Sequence, residues 1–472
     1  MTTESFAALL ALVSIALFVV GLKRLSRVRT ARSGNALMAG GMLLAIVLTL
    51  IEQGRIDYRW IVGGLAVGAA IGVAIVVRAQ ATQMPEIVAR FNGFGGAASA
   101  LVALSLFWHE VVETAGDGTA AATLGETAAV TLVLSVLVGA STFSGSVLAE
   151  LKLHGTFSGT PRIPVRGAVM GVLLVGGLVA GLIGVLGLED PATATSLVLL
   201  LLLASVGAGV VLVLPIGGAD MPVVISLLNS LSGLAAAATG FALSNNLLII
   251  AGTIVGAAGL ILTQIMCVAM NRSLLNVLIG GYGGDGGTPE HGEYGHVVSA
   301  DAEQAAMVLE AAQSVVIVPG YGLAAAHAQS AAHDVAKALI ARGTRVRFAI
   351  HPVAGRMPGH MNVVLAEAEV PYELLFEMSE INQDFAQTDV VIVVGANDVV
   401  NPAARTQPDS PIAGMPILDV EQASRVFVVK RSLSPGYAGI KNELFERDNT
   451  VMLFGDAKEV LDELANELHA IR

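Results

Sequence analysis

Long apolar segments fill the first 270 residues of the chain, whereas shorter apolar runs between polar stretches fill the remainder. A helix that spans a bilayer needs about 20 mainly apolar residues. Nine segments meet this requirement and predict nine transmembrane helices. Their predicted bounds are 5–22, 35–51, 60–77, 86–107, 124–148, 167–187, 194–215, 222–243 and 247–270.

The pattern changes at about residue 290, where runs of β-branched residues alternate with helical stretches. This alternation is typical of a doubly wound parallel sheet. Strands are predicted over 314–318, 345–350, 389–395, 425–430 and 451–455, with a last helix over 457–470. We therefore predict a polytopic α-helical membrane domain over 1–272, a linker over 273–295, and an α/β Rossmann-like domain over 296–472.

Composition separates the same two regions. Charged residues make up 14% of the chain, against about 25% in soluble domains. Residues 1–284 have a net charge of +1 and residues 285–472 a net charge of −13, which gives −12 for the chain. An acidic domain argues against a nucleic-acid partner. The single cysteine, Cys267, cannot form an internal disulfide, and it is interpreted as a small core residue.

Basic residues in the predicted loops give an orientation. The second, fourth, sixth and eighth loops carry only Arg55 and Arg59. The first, third and fifth loops carry Lys23, Arg24, Arg27, Arg29, Arg32, Arg78, Lys152, Arg162 and Arg166. The positive-inside rule places these three loops and the C-terminal domain in the cytoplasm, with the N-terminus outside. Positive charge follows residues 5–22 rather than preceding them, which argues against a cleaved signal peptide.

Polar side chains within the spans are candidates for function, because burying them in lipid is costly. Asn92 and Arg90 lie near the start of the fourth segment, Asn229 lies in the middle of the eighth, and Asp220 precedes the eighth in a Gly-Gly-Ala-Asp turn. Asn229 either fixes helix packing or belongs to a proton path, and both interpretations stay open.

Small residues are also frequent in these segments. Glycines allow close helix packing, and Ser141, Thr142 and Ser144 are each expected to bond to their own helix. His109 and His154 lie at segment ends or in loops, so no histidine falls in the core of a predicted span. A proton path therefore needs water held by amides and hydroxyls, or a titratable group from another chain.

A dinucleotide fingerprint follows the first predicted strand. The motif Gly320-Tyr321-Gly322-x-x-Ala325 has alanine at its third position and stands between a strand and a helix. Its glycines let a pyrophosphate approach the backbone, and the helix start supplies free N–H groups. The motif predicts a nucleotide site, and the alternative is a glycine turn without a ligand.

The end of the second strand indicates whether the site binds NAD(H) or NADP(H). It ends at Ile350-His351-Pro352, without the acid that holds the ribose of NAD. Lys430, Arg431 and Ser432, at the end of a later strand, fit a 2′-phosphate. The alternative is a solvated basic pair.

Three further loops belong to the predicted site. The loop with Val353, Ala354, Gly355 and Arg356 carries one cation suited to a diphosphate. Gly395, Ala396, Asn397 and Asp398 end another strand at the same edge of the sheet. A hinged lid is indicated where glycines flank an aromatic residue, at Gly436, Tyr437, Ala438 and Gly439.

These motifs resemble the beta subunit of proton-translocating NAD(P)⁺ transhydrogenases over nearly the whole chain. The resemblance is strongest at 217–233, 266–286, 318–329, 351–372, 395–404, 410–416 and 430–442. It implies a nine-helix membrane domain, an NADP(H) domain, and reversible hydride transfer between NAD(H) and NADP(H) coupled to proton movement across the bacterial inner membrane.

The resemblance also implies roles for single residues. Lys430, Arg431 and Ser432 would hold the 2′-phosphate, Arg356 would contact the pyrophosphate, and the loop over 436–439 would fold over the nucleotide. Asp220 and Asp398 would take part in coupling, and Asn229 would line the channel. Asn92 and Ser141 complete the expected proton path, and no metal is expected.

Two departures from the family concern the proton and the second nucleotide. Some relatives carry a histidine where this chain has Asn92, so the proton-handling histidine either lies on a partner's membrane helix or is absent. With one fingerprint here, the NAD(H) domain is expected on a separate alpha subunit, and a dimer of such heteromeric units in the lipid bilayer is implied by the family.

Hydride passes directly between two nicotinamide rings, so no catalytic residue is assigned to that step. The main alternative is a transporter or channel regulated by an NADP(H)-sensing domain, without redox turnover. A second alternative, a self-contained membrane dehydrogenase, would need a quinone or flavin site, and no motif for one is found.

Overall fold

A computed structural model describes residues 3–25, 28–52, 58–113, 124–157, 159, 161, 163, 165–187, 190–280 and 294–470. The loop residues Arg27, Arg55 and Arg162, and residues 281–293 of the predicted linker, lie outside the described residues.

The first region is a bundle of long helices. Their bounds are α1 Thr3–Leu25, α2 Val28–Glu52, α3 Tyr58–Val77, α4 Met84–Phe107, α5 Glu126–Leu153, α6 Arg166–Leu186, α7 Pro191–Val213, α8 Met221–Ala242 and α9 Asn246–Ala269. Within the described residues, α2 to α9 are long and apolar enough to cross a membrane, and α1 covers the first predicted segment. The predicted polytopic helical domain is confirmed.

Glycines bring the central helices into backbone contact. A Cβ atom on Gly96 of α4 would lie 2.6 Å from the carbonyl oxygen of Gly139 on α5, and one on Gly252 of α9 would lie 2.7 Å from that of Gly233 on α8. Such contact is how helices pack where lipid removes the hydrophobic driving force. Helix α3 differs, because no residue of its most apolar window is buried by the described part of the chain.

The second region is a six-stranded parallel sheet. The strands are β1 Ser314–Pro319, β2 Arg345–Ile350, β3 Leu375–Glu377, β4 Val390–Val394, β5 Arg425–Lys430 and β6 Thr450–Phe454, in the order β3-β2-β1-β4-β5-β6. The remaining helices are α10 Leu274–Gly280, α11 Ala302–Glu310, α12 Tyr321–Ala325, α13 Gln329–Ala341, α14 His360–Glu367, α15 Met378–Ile381, α16 Ala403–Thr406 and α17 Ala457–Ala470. The predicted Rossmann-like fold is confirmed.

Alternate residues of each central strand enter cores on opposite faces. Val315 and Ile317 of β1 pack with α11, α13 and α17, whereas Val316 and Val318 pack on the other face with Phe385 and Phe445. All four β1 residues are at most 1% exposed. This two-sided burial explains why the strands read as continuous apolar runs.

The sequence prediction missed strand β3 and the break after α12. β3 has three residues at the edge of the sheet, too few to show a period-2 pattern. The sequence predicts one helix after the fingerprint, continuing to about residue 342, and this prediction is wrong, because His327 adopts a left-handed φ of +51° between α12 and α13. Few residues other than glycine adopt this backbone conformation without strain.

The sheet domain sits on one end of the helix bundle. Met357 and Val353 enter a core cluster shared with Met84 and Met221 of the bundle. Nη1 of Arg356 donates to the carbonyl oxygen of Leu153 at the end of α5, at 2.8 Å. These contacts bring the carboxyl edge of the sheet to the polar ends of the membrane helices.

Candidate functional site

The fingerprint turn lies where the strand order of the sheet reverses. Gly320 follows β1 and Gly395 follows β4, the two strands that diverge at this point. The amide of Gly322 donates to the carbonyl oxygen of Gly395 at 2.8 Å. Ligands of doubly wound folds bind in the crevice that such a reversal opens.

Three glycines are required here by direct backbone contact. A Cβ atom on Gly322 would lie 2.6 Å from Cα of Gly395, and one on Gly320 would overlap the backbone of Ala396. Gly395 itself has a φ of +66°. The turn therefore exposes bare backbone to the crevice, as a diphosphate requires.

The crevice encloses about 440 Å³ and gathers the predicted loops. Its lining includes Gly320, Tyr321, Gly322, Val353, Ala354, Gly355, Gly395, Ala396, Asn397, Asp398, Lys430, Gly436 and Tyr437. Met270, at the end of α9, lines it as well. Most of the predicted nucleotide-binding residues thus meet in one space, and the membrane bundle forms part of its wall.

An adjoining cavity of about 250 Å³ holds the predicted 2′-phosphate residues. Lys430, Arg431 and Ser432 lie there beside Gly322 and Ala325. Nζ of Lys430 donates to the carbonyl oxygen of Ser434, and burial lowers the pKa of this lysine while nearby Asp398 raises it. The guanidinium of Arg431 and the hydroxyl of Ser432 lie beside this lysine, so this end of the crevice is cationic and rich in hydrogen-bond donors.

Asp398 holds the lid loop. Its Oδ2 accepts from the amide of Ala438 at 3.0 Å, and a Cβ atom on Gly436 would overlap its carboxylate. Burial raises the pKa of Asp398, against the lowering effect of that hydrogen bond and of Lys430. A change in the charge of this carboxyl is therefore felt directly by residues 436–439.

Tyr437 joins the crevice to the bundle. Its ring lies 6.3 Å from that of Tyr321, centre to centre. Its Cε1 would lie 3.1 Å from a Cβ atom on Gly218, two residues before Asp220. Gly439, the last residue of the loop, has a left-handed φ of +70°.

Arg356 lies outside the residues that line the crevice. Its Nη1 donates to the carbonyl oxygen of Leu153, and its guanidinium carbon lies 4.4 Å from the ring centre of Tyr321. Its amide donates to Nδ1 of His360 at 2.9 Å, and burial, with the charge of Arg356, lowers the pKa of His360 to about 4. In this arrangement Arg356 bridges the two domains, and a contact with a pyrophosphate stays a prediction.

In the bundle, Asn92 and Asn229 belong to neighbouring helices. Nδ2 of Asn92 donates to the carbonyl oxygen of Ile225 at 3.3 Å, and half-buried Asn229 lies one turn further along the same helix, α8. Asp220 is fully buried and pairs with Arg272, at 3.1 Å from Nη1. These three predicted residues line the nucleotide-domain half of α8.

Ser141 faces elsewhere. Its hydroxyl bonds to the carbonyl oxygens of Leu137 and of Ser205 on α7, so it is directed away from α4. Thr142 bonds to Val138 on its own helix, as expected, whereas Ser144 also reaches Val206 on α7. The structure therefore groups Asn92 with α8, and Ser141 with α7.

Sequence reasoning missed the ion pair between Arg90 of α4 and Glu150 of α5. It also missed Ser146, whose hydroxyl is buried without a partner among the described residues. A four-residue spacing was the available signal, since Glu86 and Arg90 share one helix face and Glu150 shares another with His154.

Comparison with known proteins agrees with this geometry. The model of the family described as NAD(P) transhydrogenase beta subunit matches residues 7–467. The NAD(P) transhydrogenase subunit beta of Rhodospirillum rubrum is 47% identical over 471 residues, covering 99% of this chain and 100% of the relative. The protein of the same name from a defined strain of that species matches equally.

Proposed function

The chain belongs to the family of NAD(P) transhydrogenase beta subunits, and from this premise we propose that it is the NADP(H)-binding and membrane subunit of a proton-translocating transhydrogenase. In this function hydride passes reversibly between NAD(H) and NADP(H) while protons cross the membrane. The observation that carries the proposal is the crevice, where bare fingerprint backbone adjoins the cationic end formed by Lys430, Arg431 and Ser432.

Two unpartnered atoms support a bound dinucleotide. Nδ2 of Asn397 and Oδ1 of Asp398 are buried without a hydrogen-bond partner in the described part of the chain. Buried polar atoms are normally paired, and a ligand in the crevice would supply partners. When bound, NADP(H) supplies the hydride donor or acceptor. The chain holds the nucleotide in place and excludes water, and no general base is needed.

The test is nucleotide titration of the full chain by calorimetry, with Arg431→Ala and Arg425→Ala compared. Arg425 lies at the opposite end of the same strand and serves as the matched control. Wild type and Arg425→Ala should bind NADPH far more tightly than NADH. Losing one charge-assisted contact should weaken NADPH binding by Arg431→Ala about 10- to 100-fold, and an equal loss of NADH binding would contradict the assignment.

For coupling, we infer a proton path through Asn92 and Asn229, with Ser141 as a further candidate. Asp220 and Asp398 would connect this path to the nucleotide. The support is a short series of links. Asp220 lies two residues after Gly218, and Gly218 lies beside the ring of Tyr437. The amide of Ala438, the residue after Tyr437, donates to Asp398.

Moving one charge through 100 mV supplies about 2.3 kcal/mol, which shifts a two-state lid equilibrium roughly fifty-fold. Asn229→Leu should therefore reduce proton-coupled turnover while leaving NADPH affinity within about twofold. Unchanged coupled turnover would remove Asn229 from the path.

The partner would be an alpha subunit that carries the NAD(H) domain and further membrane helices, in a dimer of heteromeric units. Hydride transfer by this chain alone should be absent and should appear when the partner is added. We place the complex in the bacterial cytoplasmic membrane, with the N-terminus outside. Labelling the cysteine of a Ser5→Cys variant from each side of the membrane tests this orientation.

A further inference from the structure

Two polar side-chain pairs cross from α4 to the end of α5, on the side that faces the nucleotide domain. Nε of Arg90 donates to Oε1 of Glu150 at 2.8 Å, and its Nη2 donates to the same oxygen. One turn nearer the nucleotide domain, Nδ1 of His154 lies 3.3 Å from Oε2 of Glu86. We call these four residues the ladder, because a four-residue spacing on each helix stacks the two pairs.

The two carboxylates of the ladder are shielded from water, and their partners are more open. The side chains of Glu86 and Glu150 are 17% and 20% exposed, whereas those of Arg90 and His154 are 36% and 65% exposed. Its members alternate in charge, so each carboxylate has a cationic or titratable neighbour on the opposite helix. Ionisable groups within or at the ends of membrane helices are candidates for sites where ions or protons move.

Ser146 continues the same seam one turn deeper on α5. It is 0% exposed, and its hydroxyl has no partner among the described residues. Its Cβ would lie 3.1 Å from a Cβ atom on Gly93, which places it between the two helices just beyond Arg90 and Glu150. A buried hydroxyl normally has a partner, so that of Ser146 can bond to a carbonyl oxygen of its own helix or to a water molecule. Ser146 places a hydrogen-bonding group one helical turn from Glu150, on the bundle side.

Beyond Ser146 the seam closes. The backbone contact of Gly96 with Gly139 leaves no room for water between α4 and α5. The polar route at this depth instead turns to α8, where Asn92 meets the carbonyl oxygen of Ile225. The ladder can therefore serve only the half of a path that lies on the nucleotide-domain side.

Charged groups of the surrounding elements are engaged elsewhere. Lys152 donates to the carbonyl oxygens of Leu214 and Ile216, Arg356 donates to that of Leu153, and Arg272 pairs with Asp220. Tyr321 is the other titratable group close to the ladder, and Glu86 acts on it through space. Of the charged groups that the structure describes here, Arg90 makes the direct ion pair with Glu150.

We propose that Glu150, Glu86 and His154, with Arg90 as the counter-charge, form the proton-exchange site at the nucleotide-domain end of the path. The inference rests on the proposed proton-translocating function. A proton arriving from the bundle side of the seam, at Ser146, binds the carboxylate of Glu150 and releases Arg90, which then pairs with Glu86. The proton passes through water to the imidazole of His154 and on to bulk solvent, and Arg90 returns to Glu150. Only O–H and N–H bonds change, and the opposite flux uses the same steps in reverse.

A purely structural role would make the Arg90–Glu150 pair a clamp between two helices. The two roles separate in the neutral double variant Arg90→Gln/Glu150→Gln, whose amides can still hydrogen-bond across the seam. A clamp tolerates this exchange, because no unpaired charge is left. A proton carrier does not tolerate it, because a side-chain amide cannot take up and release a proton near neutral pH.

The experiment uses the complete complex, this chain with its partner subunit, in inverted membrane vesicles. Proton uptake is followed by quenching of a pH-sensitive dye, alongside hydride transfer and NADPH binding. Glu150→Gln and the double variant should lose at least about tenfold in proton uptake, while Glu150→Asp retains most of it and all keep NADPH binding. The matched control is Glu113→Gln, which breaks the exposed His109–Glu113 pair at the opposite end of the helical segment that contains α4.

Two failures can be told apart. If the double variant takes up protons like wild type, or if Glu150→Asp is as impaired as Glu150→Gln, the ladder does not carry protons and this inference is overturned. If the wild-type complex transfers hydride without moving protons, the proposed function itself fails. His154→Gln should lower proton uptake more at high pH than at low pH, since bulk protons are then scarce, and an unchanged pH profile removes His154 from the site.

Discussion

The membrane bundle and the nucleotide domain both depend on glycine, but for different physical reasons. In the bundle, Gly96 and Gly139 keep helical dihedral angles, and they are needed because two helices touch there. In the nucleotide domain, Gly395 is needed both for its contact with Gly322 and for its φ of +66°. A glycine in a membrane helix is thus required by contact with a neighbouring helix. A glycine at a strand end is also required by its own backbone conformation.

Buried polar groups separate the two regions in the same way. Most buried hydroxyls in the bundle, such as that of Ser135 with the carbonyl oxygen of Ser99, are satisfied by helix backbone, and Ser146 is an exception among the described residues. In the nucleotide domain, Asn397 and Asp398 keep unpartnered atoms in the crevice, within the part of the chain that is described. The first arrangement holds helices together, and the second leaves hydrogen-bonding capacity for a ligand.

The largest effect is expected for Gly395→Ala. A Cβ atom would overlap Gly322 while φ stays positive, so the domain should lose about 3 kcal/mol of unfolding free energy, and with it NADPH binding. Thermal unfolding and NADPH titration measure the two effects. The control is Gly343→Ala, whose φ of +88° is similar but whose surroundings are open, so it should cost only about 1 kcal/mol. Equal losses of unfolding free energy in the two variants would show that backbone strain, rather than contact with Gly322, determines the effect.

Acid should act on the nucleotide domain through His351. It is 1% exposed, and burial lowers its pKa to about 4 despite its hydrogen bond to Pro416. The unfolded chain, with a pKa of about 6.5, binds the proton more readily, so the stabilising effect is complete above pH 6.5 and is lost as pH falls towards 4. At pH 5 the loss should be about 2 kcal/mol.

Thermal unfolding at pH 7 and pH 5 measures this effect. His351→Gln should reduce the difference between the two pH values, whereas the exposed His469→Gln should leave it intact. Buried His360, with its pKa also lowered to about 4, contributes in the same direction. A wild-type domain equally stable at both pH values would refute the assignment.

Gly96→Ala tests the bundle's use of glycine. The added methyl would press on the carbonyl oxygen of Gly139, and overpacking of this kind costs about 1–2 kcal/mol. Unfolding in detergent measures the change. Gly68→Ala in α3, where nothing lies within 4 Å, should stay within about 0.5 kcal/mol of wild type. A comparable loss in both variants would mean that helix propensity, rather than helix contact, governs these positions.

The smallest expected effect concerns the link between the regions. Nδ2 of Asn271 donates to the carbonyl oxygen of Ala413 at 2.8 Å, and Asn271 has a φ of +50°. Asn271→Gly keeps this backbone and removes the amide, at a cost of about 1 kcal/mol. Hydrogen exchange of residues 412–415 should speed up about fivefold. No change there would mean that the other contacts between the domains, including that of Arg356 with Leu153, hold them together without Asn271.

Sequence patterns predicted the fold well because each region has a strong apolar signal. The apolar segments needed only length, and β1 or β4 could be recognised because both faces of the sheet bury valine and isoleucine. β3 was missed because three edge residues carry no period. The break at His327 was missed because its left-handed conformation is decided by tertiary contacts rather than by its residue type.

The candidate site was predictable only where residues are neighbours along the chain. The fingerprint and Lys430-Arg431-Ser432 are local motifs, and the structure brings both to the crevice. Pairs across helices were not visible, since Arg90 and Glu150 are 60 positions apart. Likewise, nothing in the sequence indicates that Arg356 reaches Leu153 or that Ser141 turns towards α7.

Helix α3 has a consequence for how the membrane region is built. Because none of its most apolar window is buried by the described chain, its rotation about its axis is not fixed by contacts with the described residues. Lipid, or another polypeptide in the same bilayer, is left to cover this helix.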